Sequence, residues 1–217
     1  MPARDEILGR IRAALGREQP LTEVEAAAAR TRLRDHPRGP RPQMDWDRVV
    51  RFRERCVSLS STVDEVAELV HVPGAIARYL AATGLRPAGV CWPRFAALDW
   101  SGAGLSIEAR PARAEDHLGI TGAYCAIAET GTLMLLSGAD THAKTSLLPD
   151  THIAIVPISR IVAAMEDGWD LLRGEHGSLP RQVTFISGPS RTADIEMTLV
   201  LGAHGPYRVH IVLVTGE

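Results

Sequence analysis

The chain contains very little lysine and cysteine, and each shortage excludes a class of chemistry. Lys144 is the only lysine among the 24 basic residues of the 217-residue chain. Its neighbours do not form the G-x-x-x-x-G-K-[ST] phosphate loop, so a P-loop nucleotide phosphohydrolase is excluded. Cys56, Cys91 and Cys125 lie too far apart for a C-x-x-C pair, which argues against a disulfide framework or a four-cysteine metal site. We therefore expect no metal and no cofactor in this chain.

Long apolar segments and an excess of one charge are also absent. The 24 basic and 26 acidic side chains leave a formal net charge of -2, so no overall positive field attracts nucleic acid or anionic lipid. The longest apolar runs, such as residues 132–136 and 210–214, are far shorter than the roughly 20 residues that span a bilayer. The first residues carry acidic side chains in place of an apolar signal core. We expect a cytoplasmic protein that binds neither nucleic acid nor membrane.

Helical patterns dominate the first forty residues. Residues 7–15 repeat apolar side chains at helical spacing, and residues 22–25 form a capping box before an alanine-rich run. The proline-rich segment 36–42 then breaks any helix. We predict an N-terminal helical appendage with its linker over residues 1–42 and a main domain over residues 43–217.

Three further helices are predicted after the linker. Asp45 is the expected N-cap of the first, and residues 62–65 are the expected cap of the second. The third helix begins at Pro73 and ends at Gly84. All three precede the region where short apolar runs appear.

From residue 88 onward the pattern changes to short apolar runs separated by glycine, proline and aspartate. The predicted strands are residues 89–92, 105–109, 125–128, 132–136, 153–156, 183–186 and 209–214. Helix-length segments separate several of them, and one predicts a helix over residues 159–173. Residues 195–201 fit either a strand or a helix. Alternating strands and helices predict an α/β domain with a largely buried sheet.

The densest group of polar residues follows the predicted strand 183–186. Its members are Ser187, Gly188, Ser190, Arg191, Thr192, Asp194 and Glu196. Glycine and small hydroxyl residues after a strand provide free N–H donors, and the arginine adds a guanidinium group, which together suit a carboxylate or a phosphate. Asp194 and Glu196 either supply an acid or base or pair with Arg191. The alternative is a strand-to-helix connection with Ser190 or Thr192 as an N-cap.

A second candidate group surrounds Glu129. This glutamate ends an apolar strand and is followed by Thr130, Gly131 and Thr132. Burial at such a position raises a carboxyl pKa, so Glu129 is a candidate general base or covalent nucleophile. The alternative is a turn in which the threonines satisfy the glutamate.

The third candidate is His204, which lies between two glycines before the last predicted strand. This constrained turn is placed to reach the same sheet edge as the loop 187–192, although an ordinary exposed turn residue is the alternative. Functional groups in open α/β sheets collect where strand ends and a switch in strand order form a crevice. We therefore predict that Glu129, Asp194 and His204 converge on one cleft.

Four motifs, taken in order, resemble the LUD domain of the lactate utilization protein C family. They are AIAETGT at 126–132, SLLPDTHIAIV at 146–156, ISGPSRTADIE at 186–196 and LVLGAHGP at 199–206. The resemblance is close over residues 115–215. It implies a three-layer α/β/α fold with a Rossmann-like sheet, like that of the glucosamine-phosphate isomerase, ribose-phosphate isomerase and CoA-transferase group. The catalytic candidates are Glu129, Asp194 and His204. The ligand-binding candidates are Thr130, Gly131, Thr132, Ser187, Gly188, Ser190, Arg191, Thr192 and Glu196.

The same resemblance implies a role in oxidising L-lactate to pyruvate alongside iron–sulfur partner proteins. Our leading interpretation is a non-redox subunit or accessory protein that binds a small carboxylate or phosphorylated ligand at the sheet edge. One alternative is a CoA-transferase-like or cyclo-ligase-like enzyme that uses Glu129, and another is a structural assembly protein. The sequence leaves open whether this chain is itself an enzyme and whether it forms a homo-oligomer.

Overall fold

A computed structural model of the chain describes residues 2–16, 21–192 and 200–216. The chain divides into two compact units, Met1–Pro42 and Gln43–Glu217. The first unit contains helices α1 (Pro2–Ala14) and α2 (Glu23–Asp35). The Thr22 hydroxyl accepts a hydrogen bond from the Glu25 N–H at 3.3 Å, and the Glu25 carboxylate accepts one from the Thr22 N–H at 2.8 Å. The predicted capping box is therefore present at the start of α2.

The second unit contains the remaining elements. Its helices are α3 (Arg48–Ser58), α4 (Val72–Thr83), α5 (Lys144–Leu147) and α6 (Met165–Glu175). Its strands are β1 (Thr62–Val66), β2 (Ala88–Cys91), β3 (Ser106–Ala109), β4 (Leu118–Gly122), β5 (Cys125–Ile127), β6 (Thr132–Leu136), β7 (Thr151–Pro157), β8 (Ile161–Val162), β9 (Val183–Ile186), β10 (Arg191–Thr192), β11 (Val200–Leu201) and β12 (Arg208–Val214). No helix among the described residues is long and apolar enough to cross a bilayer.

The main sheet has six strands in the order β1-β12-β7-β4-β2-β3, and every pairing in it is parallel. Strands β4 and β7 lie inside the sheet and are buried along almost their whole length. Strands buried on both faces carry near-continuous apolar sequence, as Ile153, Ala154, Ile155 and Val156 of β7 do. The predicted α/β class is confirmed by this helix-flanked parallel sheet.

A second, mixed sheet of four strands has the order β8-β5-β6-β9. Strands β5 and β6 form an antiparallel hairpin, β9 pairs antiparallel with β6, and β8 pairs parallel with β5. Strands β10 and β11 form a separate two-stranded ladder. The apolar runs of the sequence did not separate these strands from the main sheet, because an apolar run indicates burial and does not specify the partner strand.

One predicted helix and two predicted helix starts were wrong. Residues 62–65, expected to cap a helix, lie in strand β1, because their backbone pairs with β12 along the parallel ladder. The expected helix over 159–173 begins only at Met165, since Ile161 and Val162 pair with β5 as strand β8. The N-cap of α3 is Asp47, whose carboxylate accepts two backbone N–H bonds, and not Asp45. The predicted end of α4 at Gly84 is confirmed, with Gly84 in the left-handed conformation.

Helix α3 contributes directly to the core. Phe52 and Cys56 are fully buried on one face of it and belong to the main apolar cluster. All three thiols are buried and free. Burial raises the pKa of Cys56 to about 12 and the pKa values of Cys91 and Cys125 to about 11, so these thiols remain protonated at neutral pH.

Candidate functional site

Glu129 lies in the tight turn that joins β5 to β6. Its backbone N–H donates to the carbonyl of Ala163 at 3.0 Å, just beyond β8, and the Gly131 N–H closes the turn by donating to the Ile127 carbonyl at 2.9 Å. The Glu129 side chain is half-buried. Among the described residues its carboxylate has no hydrogen bond or ion pair, so the turn holds the backbone of Glu129 and leaves its acid group available.

The two threonines of this turn do not satisfy the glutamate. The hydroxyls of Thr130 and Thr132 lie 2.7 Å apart and bond to each other, and Thr132 lies 2.7 Å from the hydroxyl of Ser187. Three hydroxyls carry three protons, and two hydrogen bonds use two of them. The chain from Thr130 through Thr132 to Ser187 therefore retains one O–H donor for a group bound beside it.

The turn packs closely against helix α3. A Cβ atom added to Gly131 would lie 2.8 Å from Cβ of Arg55 and 2.9 Å from the backbone N of Cys56. Gly131 also has φ of +67°, which suits glycine. The Nε of Arg55 is buried and has no hydrogen-bond partner among the described residues, so a guanidinium donor faces the protein interior unpaired.

The loop 187–192 packs against the connection between α3 and β1. Arg191 donates from Nη2 to the Leu59 carbonyl at 3.0 Å and to the Ser60 hydroxyl at 2.6 Å. Gly188 has φ of +79°, and a Cβ there would lie 2.6 Å from the Leu59 carbonyl oxygen. The described contacts of Arg191 use Nη2 alone, which leaves its Nε and Nη1 donors for another acceptor.

Ser190 does not cap a helix, because strand β10 follows it directly. The helix that Thr192 would cap falls on residues 193–199, which lie outside the described residues. Thr192 lies in strand β10, which pairs with β11, because the chain folds back on itself there. Ser190 donates its N–H to the Pro206 carbonyl at 2.9 Å and accepts a bond from the Gly202 N–H at 3.0 Å. The loop 187–192 is therefore tied to the turn 202–206.

That turn carries His204, which is exposed. Gly202 has φ of +77°, and a Cβ at Gly205 would lie 3.4 Å from Cβ of Ser190. The structure thus places the loop 187–192 beside both the Glu129 turn and the His204 turn. Asp194 and Glu196 lie outside the described residues.

These loops meet at the amino ends of the strands of the main sheet. Ser60 precedes β1 and Pro206 precedes β12, so the contacts of Arg191 and Ser190 lie at the amino ends of the parallel strands. Glu129 and Ser187 follow strands that the sequence pattern assigned to a single buried sheet. Strands β5 and β9, which precede the Glu129 turn and the loop 187–192, belong instead to the mixed sheet. The turn and the loop therefore lie at the amino edge of the main sheet.

We call this group the amino-edge cluster. It consists of Arg55, Leu59, Ser60, Glu129, Thr130, Gly131, Thr132, Ser187, Gly188, Ser190, Arg191 and His204. Arg55, Leu59 and Ser60 were not among the residues predicted from the sequence. A basic stripe at helical spacing, Arg48, Arg51 and Arg55, was the available signal for the first of them, but nothing in the sequence marked the carbonyl of Leu59.

The amino-edge cluster combines an unpaired carboxylate, a hydroxyl chain and two arginines with unused donors. Guanidinium and hydroxyl donors bind carboxylates and phosphates, and a nearby carboxylate is able to exchange a proton with a bound hydroxyl group. No group of three or more potential metal-ligating side chains is found in the part of the chain that the structure describes.

Most of the chain shares its fold with a solved protein. The crystal structure of a DUF162 family protein from Deinococcus radiodurans superposes with a TM-score of 0.59 and 24% sequence identity, covering 78% of this chain and 99% of that one. At 24% identity the match shows the fold alone, which is that of an α/β protein built on the same type of sheet. The family follows from the sequence, because residues 93–214 match the LUD domain, and the chain belongs to the LUD domain family.

Curated relatives carry one common name. Lactate utilization protein C of Bacillus subtilis (strain 168) is 43% identical over 102 residues, which is 46% of this chain and 42% of that protein. Lactate utilization protein C of Halalkalibacterium halodurans is 46% identical over 100 residues, covering 45% of this chain and 44% of that protein. This chain matches about half the length of these relatives.

Proposed function

We propose that this protein is a non-redox component of a system that oxidises L-lactate to pyruvate, and that it binds a small carboxylate or phosphorylated ligand at the amino-edge cluster. The names of the relatives support the pathway. The observation that carries the ligand site is the hydrogen bond between Thr132 and Ser187 at 2.7 Å, because it joins the two polar motifs of the sequence into one surface.

Each part of the amino-edge cluster has a role in this proposal. Arg191, which keeps Nε and Nη1 unused in its described contacts, binds the anionic group of the ligand. The terminal hydroxyl of the chain through Thr132 donates to a second ligand oxygen. Glu129, half-buried and unpaired among the described residues, orients a ligand hydroxyl or accepts its proton. Electron transfer then falls to iron–sulfur partner proteins, because this chain has no cluster-binding cysteine motif.

Complementation tests the proposal. A bacterial strain that lacks its own lactate utilization protein C, but keeps the rest of its lactate genes, is transformed with this chain and grown on L-lactate as sole carbon source. We expect growth with the unaltered chain and a loss of at least tenfold in growth yield with Glu129→Gln. Glu115→Gln is the matched control, because Glu115 is exposed and its carboxylate has no hydrogen bond or ion pair among the described residues. Growth that is equal with both variants contradicts the role of Glu129.

Ligand binding is tested separately on the purified protein. We expect L-lactate, pyruvate or a phosphorylated hydroxy acid to raise the melting temperature of the protein. Arg191→Ala should reduce the binding free energy of that ligand by about 1 to 3 kcal/mol. Arg78→Ala, which removes an exposed guanidinium from α4, is the control. An Arg191→Ala protein that folds and binds the ligand with unchanged affinity contradicts the anion site.

A further inference from the structure

The carboxyl ends of the main sheet enclose a cavity that the proposed function does not use. It has a volume of about 670 Å³, within the range of small-molecule sites. None of its lining residues belongs to the amino-edge cluster. Four residues, 125–128, lie between Tyr124, which lines the cavity, and Glu129. The five steps from one to the other correspond to about 16 Å of extended chain.

The cavity lies where the strand order of the main sheet switches. Strands β2 and β4 are neighbours, but the chain continues from β2 outward to β3 and from β4 in the other direction to β7. Right-handed crossovers that leave in opposite directions lie on opposite faces of a sheet and open a crevice between them. Arg94 and Phe95 follow β2, and Ala123 and Tyr124 follow β4, and all four residues line the cavity.

Apolar side chains form the floor of the cavity. Phe95, Ala123, Ile155 and Val214 line it and are each at most 8% exposed. Ile155 comes from β7 and Val214 from β12, so the floor spans neighbouring strands of the main sheet. A floor of this composition favours an apolar body in the ligand.

Two arginines line the cavity, and only one is available to a ligand. Arg160 donates from Nη1 and Nη2 to the two carboxylate oxygens of Glu175, at 2.7 Å and 3.0 Å, and from Nε to the Tyr124 carbonyl at 2.9 Å. This bidentate pair holds the pKa of Glu175 down at about 2, so the charge of Arg160 is neutralised in place.

Arg94 is the available cation. Its guanidinium lies 5.1 Å from the ring centroid of Phe95, and Nη1 would lie 3.6 Å from a Cβ added to Gly122 at the end of β4. Within the described ranges Arg94 has no hydrogen bond or ion pair. The contact with the Phe95 ring places the guanidinium of Arg94 beside the apolar floor of the cavity, where it can bind a carboxylate through two donors.

The charges of Glu68 and Arg94 in the cavity lining favour a ligand with a single negative charge. Glu68 is exposed at the rim and carries the opposite charge to Arg94. A doubly charged phosphate would be repelled by Glu68 after Arg94 had offset its first charge, whereas a single carboxylate is matched by Arg94 alone. We propose that this cavity is a second ligand site that binds a monocarboxylic acid with an apolar body, with the carboxylate on Arg94 and the apolar part on the floor.

Titration calorimetry with the full chain tests this site, with 3-phenylpropionate as the probe and 3-phenylpropionamide as its uncharged counterpart. We expect the acid to bind at least tenfold more tightly than the amide. Arg94→Ala should lower the affinity for the acid by at least tenfold and leave the affinity for the amide unchanged. Arg181→Ala, which removes an exposed guanidinium outside the cavity, should change neither affinity.

A second variant fills the cavity without removing a charge. Ser159 is exposed and lines the cavity, so Ser159→Trp should abolish binding of both compounds while the protein keeps its circular dichroism spectrum. No binding by the unaltered chain, equal affinity for acid and amide, or unchanged acid affinity in Arg94→Ala would overturn the proposal. Each of these results leaves the lactate-growth experiment on Glu129 unaffected, so the two sites are tested independently.

Discussion

At the scale of single residues, glycines determine how closely the polar loops approach helix α3. Gly131 and Gly188 both have positive φ, and at both positions a Cβ would come within 3 Å of atoms of α3 or of the residue that follows it. A side chain at either position would push the loop away from the helix. The close contact of the loops with Arg55 and Leu59 therefore depends on the absence of two side chains.

This dependence predicts opposite effects for two glycine substitutions. Gly131→Ala adds a Cβ 2.9 Å from backbone atoms of α3 at a φ of +67°, so we expect the free energy of unfolding to fall by about 2 to 4 kcal/mol. Gly174→Ala, in helix α6 with nothing within 4 Å, should raise it by up to about 1 kcal/mol because alanine favours the helix. Urea denaturation measures both changes, and equal stabilities for the two variants would contradict the packing of the turn on α3.

At the scale of elements, local signals located helix ends correctly only where no strand competed for the backbone. The capping box at Thr22 is present as predicted. The similar pattern at residues 62–65 lies in β1, because pairing with β12 satisfies those backbone groups along a whole ladder. A cap supplies a hydrogen bond or two, whereas a parallel ladder satisfies several, so tertiary pairing overrides the local signal.

The two candidate N-caps of helix α3, Asp45 and Asp47, can be distinguished by substitution. The Asp47 carboxylate accepts from the N–H groups of Val49 and Val50, both at 2.9 Å. Asp47→Ala should lower the free energy of unfolding by about 1 kcal/mol. Asp45→Ala removes the carboxylate that the sequence favoured and should change it by less than about 0.5 kcal/mol. Thermal unfolding of both variants decides between the two caps, and a larger loss in Asp45→Ala would show that the helix begins earlier.

At the scale of the whole molecule, two buried histidines link stability to pH. His152 of β7 bonds to the Thr121 hydroxyl at 2.7 Å, and its Nδ1 has no partner among the described residues. His210 of β12 stacks on Tyr79 at 3.9 Å and bonds to the Thr62 hydroxyl at 2.8 Å, with Asp64 3.9 Å from its Nε2. Burial lowers the pKa of both histidines from 6.5 to about 4.

The direction of the pH effect follows from proton binding. Between pH 6.5 and 4 the unfolded chain binds more protons at these histidines than the folded protein does, so the free energy of unfolding falls as the pH falls, by roughly 1 kcal/mol per pH unit for each histidine. Above pH 6.5 this contribution is complete. Denaturation curves from pH 7.5 to 4.5 measure it, and His210→Gln should reduce the slope. His71→Gln, at an exposed position, should leave the slope unchanged, and a slope that the His210 variant does not alter would contradict the assignment.

The sequence by itself determined the α/β class, most strand positions and the polar motifs around Glu129 and Arg191. Local features carry that information, since apolar runs record burial and glycines with small hydroxyl residues record turns. Only the tertiary structure decided which sheet each strand joins, because a run of apolar residues in β5 or β9 does not specify the strand with which it pairs. Because β5 and β9 belong to the mixed sheet, the polar loops lie at the amino edge of the main sheet, next to Arg55 and Leu59. It also assembled the carboxyl-edge cavity from Arg94, Phe95 and residues far apart along the chain, whose proximity is a property of the folded sheet and not of any segment.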